Sequence, residues 1–71
     1  MTKREAMILA LEVFAQSVDI LIESDKVSRS IRTTEDYGLV NIAFYDLAES
    51  LQKKADGMKK SQLTINNYYL I

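Results

Sequence analysis

Proline is absent from this chain, and glycine occurs only at Gly38 and Gly57. With so few residues able to interrupt a helix, long helices are the expected outcome. Apolar spacing agrees. Met7, Leu11, Phe14, Val18 and Leu21 follow one another at intervals of four and three, the repeat of a helix seamed against another helix. Tyr37, Val40, Phe44, Leu47 and Leu51 repeat the pattern. Thr2 and Glu5 have the spacing of a capping box, so the first helix is expected to start at Thr2. Continuing its register would bring Asp25, Ser28 and Arg32 onto the seam, so it is expected to end near Ser24. At 1.5 Å per residue that makes a rod of roughly 33 Å.

Residues 25–32 are polar and read as a connection, with Val27 and Ile31 one helical turn apart. The second helix is expected to begin at Thr33 or Thr34. Thr33 and Asp36 form a weaker version of the same box, and Glu35 and Asp36 suit the positive end of the helix dipole. Its expected end is Gly57, which can adopt the left-handed conformation that closes a helix. Ala43, Ala48, Ser50 and Ala55 flank the seam and permit close approach of another backbone. From Ser61 onward, β-branched and aromatic residues surround Asn66 and Asn67, a composition favouring strand. An isolated hairpin of that length is not stable in water, so this tail is expected to dock. The domain reading is a helical hairpin over 1–60 and a C-terminal tail over 61–71.

Seventy-one residues support only a marginal core. Cysteine and histidine are both absent, which excludes disulfides and the usual zinc sites. A hydrophobic content of 48% is nevertheless too high for a disordered chain. A second apolar stripe explains where the excess lies: Ala6, Leu9, Val13 and Ile20 on the first helix, Leu39, Ile42 and Tyr45 on the second. A helix apolar over so much of its girth is normally buried on more than one side, whereas a lone hairpin covers one. Three coverings fit: a second copy completing a four-helix bundle, the tail, or a different protein. The candidate contacts are Val13, Ile20, Leu39, Ile42 and Tyr45, with Tyr68, Tyr69, Leu70 and Ile71 from the tail.

Catalytic chemistry is not expected. There is no cysteine nucleophile and no histidine to activate a serine. Glu12, Gln16, Asp19 and Glu23 share a helix face, which reads as solvated surface because carboxylates are seldom buried unpaired. No glycine-rich phosphate loop occurs, and no metal or cofactor is expected. Nine basic and ten acidic residues leave a net charge of −1, so no global field attracts nucleic acid or membrane. The apolar run from Ala6 to Leu11 is far too short to span a bilayer, and a cytoplasmic location is expected. Lys3, Arg4, Lys53, Lys54, Lys59 and Lys60 converge on one pole of a hairpin, a candidate contact for nucleic acid or an acidic partner. Lys26, Arg29 and Arg32 form a smaller group at the connection.

Met1-Thr2-Lys3 with Glu5, Leu9, Phe14 and Ser17 is similar to the start of the plasmid repressor-of-primer proteins, small helical-hairpin dimers that bind RNA kissing loops. The likeness covers the first quarter of the chain. Of that family's RNA-facing positions on its first helix, Lys3 and Phe14 match. Ala10, Val18 and Asp25 stand where the family has polar or basic groups. The resemblance implies a hairpin dimer of this length and nothing further.

The residues therefore read as an all-α antiparallel hairpin with a short third element or extended tail, dimerising into a four-helix bundle. Its expected role is binding: a small cytoplasmic regulator, inhibitor or adaptor occupying a partner protein's surface. An RNA- or DNA-binding dimer is the alternative reading, and a structural or assembly subunit the third. The size also suits a small phage product, by association rather than deduction.

Overall fold

The computed structural model describes the backbone of residues 1–70 and the side chains of residues 1–61. The protein is all-α, with no strand among the described residues. Four helices follow in order: α1 (Lys3–Gln16), α2 (Val18–Ile22), α3 (Asp25–Ser30) and α4 (Thr34–Leu70).

The capping box at the chain start is fully formed. The Glu5 amide donates to Thr2 Oγ1 at 3.0 Å, and the Thr2 amide donates to Glu5 Oε1 at 3.2 Å. Two of the donors left over at a helix start are thereby satisfied. The rod expected to run unbroken to Ser24 is instead interrupted at Ser17, which sits at φ −93°, ψ 11°. Serine competes poorly for helical geometry because its hydroxyl favours local alternatives. Its amide is shared between the carbonyls of Val13 (3.0 Å) and Phe14 (3.3 Å), and the Leu21 amide donates to the Ser17 carbonyl (3.0 Å). Helix-type bonds thus bridge the break. α2 ends at Ile22, and Ser24 is extended at the head of α3, so the connection is partly helical as expected.

α4 begins where expected, one residue after its cap. The Asp36 amide donates to Thr33 Oγ1 (3.0 Å), while the Asp36 carboxylate accepts from the Arg32 amide (3.1 Å) and not from Thr33. Its far end differs from expectation in two respects. Gly57 does not close the helix, since no glycine has positive φ. The backbone from Ser61 to Leu70 continues α4 and forms no strand. Both differences have one cause. A strand needs a ladder partner, and the chain offers none. A running helix adds one hydrogen bond per residue with no new nucleation cost, and glycine within it costs only about 1 kcal/mol. Any docking by Tyr68, Tyr69, Leu70 and Ile71 lies outside the described side chains.

α1 and α2 lie along α4 in the opposite sense. Arg4 near the start of α1 donates from Nη2 to the Met58 carbonyl late in α4 (3.0 Å), and Asp19 in α2 meets Tyr45 nearer the start of α4. Ile8 and Leu11 pack with Ala55, and Leu51 and Met58 complete the cluster. Here the stripe that is buried departs from the seam expected. Among the described residues, the buried side chains are Ile8, Leu11, Ile22 and Ala55. On α1–α2 the buried or half-buried stripe is Ile8, Leu11, Ala15, Val18 and Ile22; on α4 it is Phe44, Ala48, Leu51, Ala55 and Met58. Of the expected seams, Leu11, Val18, Val40, Phe44 and Leu51 are buried at least in part, whereas Met7, Phe14, Leu21, Tyr37 and Leu47 are exposed. Both stripes have heptad spacing. The one with Ala48 and Ala55 wins because alanines let the axes approach, and large α1 residues then fill the space over them.

At position 57, a Cβ would meet nothing within 4 Å. Gly57→Ala is therefore expected to raise stability by about 1 kcal/mol, read as an upward shift in the thermal midpoint. A glycine in a left-handed cap would give the opposite sign.

Candidate functional site, an uncovered apolar face

The Cα trace measures 58 × 21 × 12 Å. A thickness of 12 Å is that of one layer of helices, so each broad face is open unless something outside the layer covers it. The two faces differ in chemistry.

One face is closed by polar contacts across the helix pair. Lys59 Nζ lies 2.7 Å from Glu12 Oε2. The Tyr45 hydroxyl donates to Asp19 Oδ1. Gln52 Nε2 donates to Asp56 Oδ1 at 3.0 Å beside them on α4. Two carboxylates that read as solvated surface are thus used to hold α4. Hydrogen bonding to the Asp19 carboxylate, then partial desolvation and the negative charge of Asp19, push the Tyr45 phenol above its ordinary range. The hydrogen bond from Lys59 to Glu12 likewise raises the Lys59 ammonium pKa, with loss of solvent working the other way and the charges of Glu12 and Asp56 adding to the rise.

The other face is apolar. Phe14, Val18 and Leu21 from α1–α2 and Phe44, Leu47, Ala48 and Leu51 from α4 line a shallow cleft of about 100 Å³. Its rim is wetted: Phe14 is 55% exposed and Leu47 60%. Two stripes of heptad spacing border the cleft. On α1–α2 the stripe is Lys3, Met7, Ala10, Phe14, Ser17 and Leu21; on α4 it is Asp36, Val40, Ala43, Leu47, Ser50 and Lys54. Within each stripe, charge occurs only at the ends. The Ser50 hydroxyl is already satisfied by the Asp46 carbonyl (3.0 Å), so covering it strands no donor.

The area is out of proportion to the mass. A compact 8.1 kDa monomer exposes about 4,500 Å², against 5951 Å² here. Part of the excess is the length of α4 running past α1; the rest is the open layer.

The contact residues expected from sequence fall elsewhere. At about 100° per residue, Val13 and Ile20 lie on the edge of α1–α2 turned away from α4, and Leu39 and Ile42 on the far edge of α4. All four are exposed, Ile20 by 75% and Ile42 by 62%. Tyr45 belongs to the polar face. The basic pole is brought together only in part. Arg4 is spent on the Met58 carbonyl, Lys53 pairs with Glu49 (3.2 Å) and Lys59 with Glu12. Lys3, Lys54 and Lys60 are exposed, the first two at the ends of the apolar stripes. Sequence spacing alone pointed to Phe14, Leu21 and Leu47 as core, and missed Ile8 and Ile22, although 8, 11, 15, 18 and 22 are as regular a series. No group of acidic residues fit to hold a metal ion occurs among the described residues, and no helix there is long and apolar enough to cross a membrane.

No protein-family model, curated protein or solved structure matches the chain.

Because the folded state raises the Tyr45 and Lys59 pKa values, their stabilising effect is complete below the unfolded values. It is lost as pH climbs through the folded ones. Thermal midpoints measured from about pH 8 to pH 11 should therefore fall at the alkaline end. Tyr45→Phe should flatten part of that fall while leaving the neutral midpoint little changed, since the contact is solvent-exposed.

Proposed function

We propose that this chain is a small protein-binding regulator, inhibitor or adaptor without catalytic activity. It acts as a helical homodimer, a hairpin paired into a four-helix bundle, by occupying a partner protein's surface. One observation carries the reading. Large apolar side chains on both edges and one broad face stay in water, while only four of the described side chains are buried. Small monomeric proteins rarely leave contiguous apolar surface of this extent open, and a core this small stabilises a fold weakly on its own. Three buried aliphatic side chains contribute about 1.5–3 kcal/mol each, little against the ordering of a 71-residue chain.

A bundle built on the open face leaves Leu39 and Ile42 along its outer edges. These edges are the surface offered to a target. Helix-on-helix recognition uses apolar anchors three and four residues apart, the spacing of Leu39 and Ile42. The nucleic-acid reading has less support, because Lys53, Lys59 and Arg4 are already engaged within the chain.

The reading is tested in two steps. Sedimentation equilibrium of the purified chain should give twice 8.1 kDa. Affinity capture followed by mass spectrometry should recover a companion protein that is lost when Leu39 and Ile42 are both changed to glutamate, with the dimer intact. A folded monomer, or a dimer that shifts nucleic acid at low salt and captures no protein, would refute it.

A further inference from the structure

Resting on the homodimer reading above, we propose that the second copy seats on the Phe14–Leu21–Leu47 face. The two copies run antiparallel with α4 against α4, and Lys54 of one copy lies beside Asp36 of the other.

Four observations lead there. The exposed area exceeds that of a compact monomer by roughly 1,500 Å² per chain, and standard to obligate dimers bury about 800 to 2,500 Å² per partner. Part of that excess is the length of α4 running past α1, and the remainder, on the open layer, is at most of the size that a stable dimer removes. The chemistry selects the face. Covering the opposite one would desolvate the Glu12–Lys59 pair and the Tyr45–Asp19 contact, a cost that buried ion pairs rarely recover. The cleft face holds no charge between the ends of its stripes.

The shape suits self-pairing. Large and small residues alternate, with Ala10 before Phe14 and Ala43 before Leu47. Turning a copy end for end about the level of Tyr45 brings Leu47 over Ala43 of the other chain and Val40 over Ser50. Large side chains then meet small ones, as interdigitated helices require.

Charge sets the direction. The end of the layer that carries Lys3, Arg4, Lys53, Lys54 and Lys59 is basic, whereas at the other end Glu23, Asp25, Glu35 and Asp36 roughly balance Lys26, Arg29 and Arg32. A parallel pair would stack the two basic ends, whereas the antiparallel pair sets each against a nearly balanced end and brings Lys54 to the level of Asp36. This works mainly as discrimination between arrangements. The Asp36 carboxylate accepts one backbone amide already, and a carboxylate has lone pairs for more.

Sedimentation of the full chain and its variants tests the face. Leu47→Glu and Phe14→Glu should each raise the dimer dissociation constant about a hundredfold or more, while Ile42→Glu should leave it within about threefold. Direction is tested without disturbing the core. The chain has no cysteine, so Lys54→Cys accepts a single nitroxide label. Eighteen residues separate positions 54 and 36, which puts the two labels of an antiparallel dimer about 27 Å apart; a parallel dimer would hold them at about the 8–10 Å helix spacing plus label length. Electron-electron distance measurement reads the difference. A short distance overturns the antiparallel arrangement. A dimer indifferent to Leu47→Glu but dissociated by Ile42→Glu overturns the face and leaves the homodimer reading standing. A wild-type chain that stays monomeric and folded removes both.

Discussion

The rest of this structure depends on how closely α1 can approach α4, and that is decided by Ala55. Its side chain is 0% exposed, beneath Ile8 and Leu11. A larger residue there would lift α1 away from α4. With Ala48 one heptad earlier, it sets the rotation of α4 that gives the closest contact. Once that rotation is chosen, the positions of all other side chains around both helices follow. Leu47 must turn outward, Tyr45 must fall beside Asp19, and Lys59 must fall beside Glu12.

The polar contacts then act as a rotational key more than as a source of stability. Lys59 and Glu12 are partly solvated, at 48% and 24% side-chain exposure, and pairs of that kind contribute about 1 kcal/mol or less. Turning α1 by one position, to bury the 7–14–21 stripe, would pull Glu12 and Asp19 away from their α4 partners. Two contacts of modest strength therefore discriminate between apolar registers of similar quality. The result is a layer with a polar side and an apolar side, the property on which the proposed binding role rests.

A single layer leaves little of the fold buried within one chain. Ile8, Leu11, Ile22 and Ala55 are the buried set among the described side chains, and chains near this length gain much of their stability from whatever covers them. On the proposed dimer reading, stability and binding are one thermodynamic quantity rather than two. The break at Ser17 and the short α3 belong to the same picture. They shape the end of the layer where Ile22 is buried, while the uninterrupted α4 supplies the rail along which the rest is aligned.

The residue order determined what depends on local chemistry. It determined that the chain is helical, that Thr2 and Thr33 cap helix starts, that residues 25–32 connect the longer helices, and that more apolar surface exists than one neighbour shields. Each is set by groups within a few positions of one another. Three features lay beyond that local reading, two of them decided only by tertiary structure. The 8–11–15–18–22 and 7–11–14–18–21 stripes share Leu11 and Val18 and are equally regular, so which is buried depends on where Ala48 and Ala55 sit across the gap. Glu12 and Asp19 read as solvated until Lys59 and Tyr45, distant in sequence, arrive beside them. Gly57 and the β-branched tail read as a stop and a strand, because local preference knows nothing of a helix already nucleated upstream or of the missing strand partner. In the first two cases the outcome turned on contacts between distant residues, which periodicity along one helix does not encode; in the third it turned on helix propagation along α4.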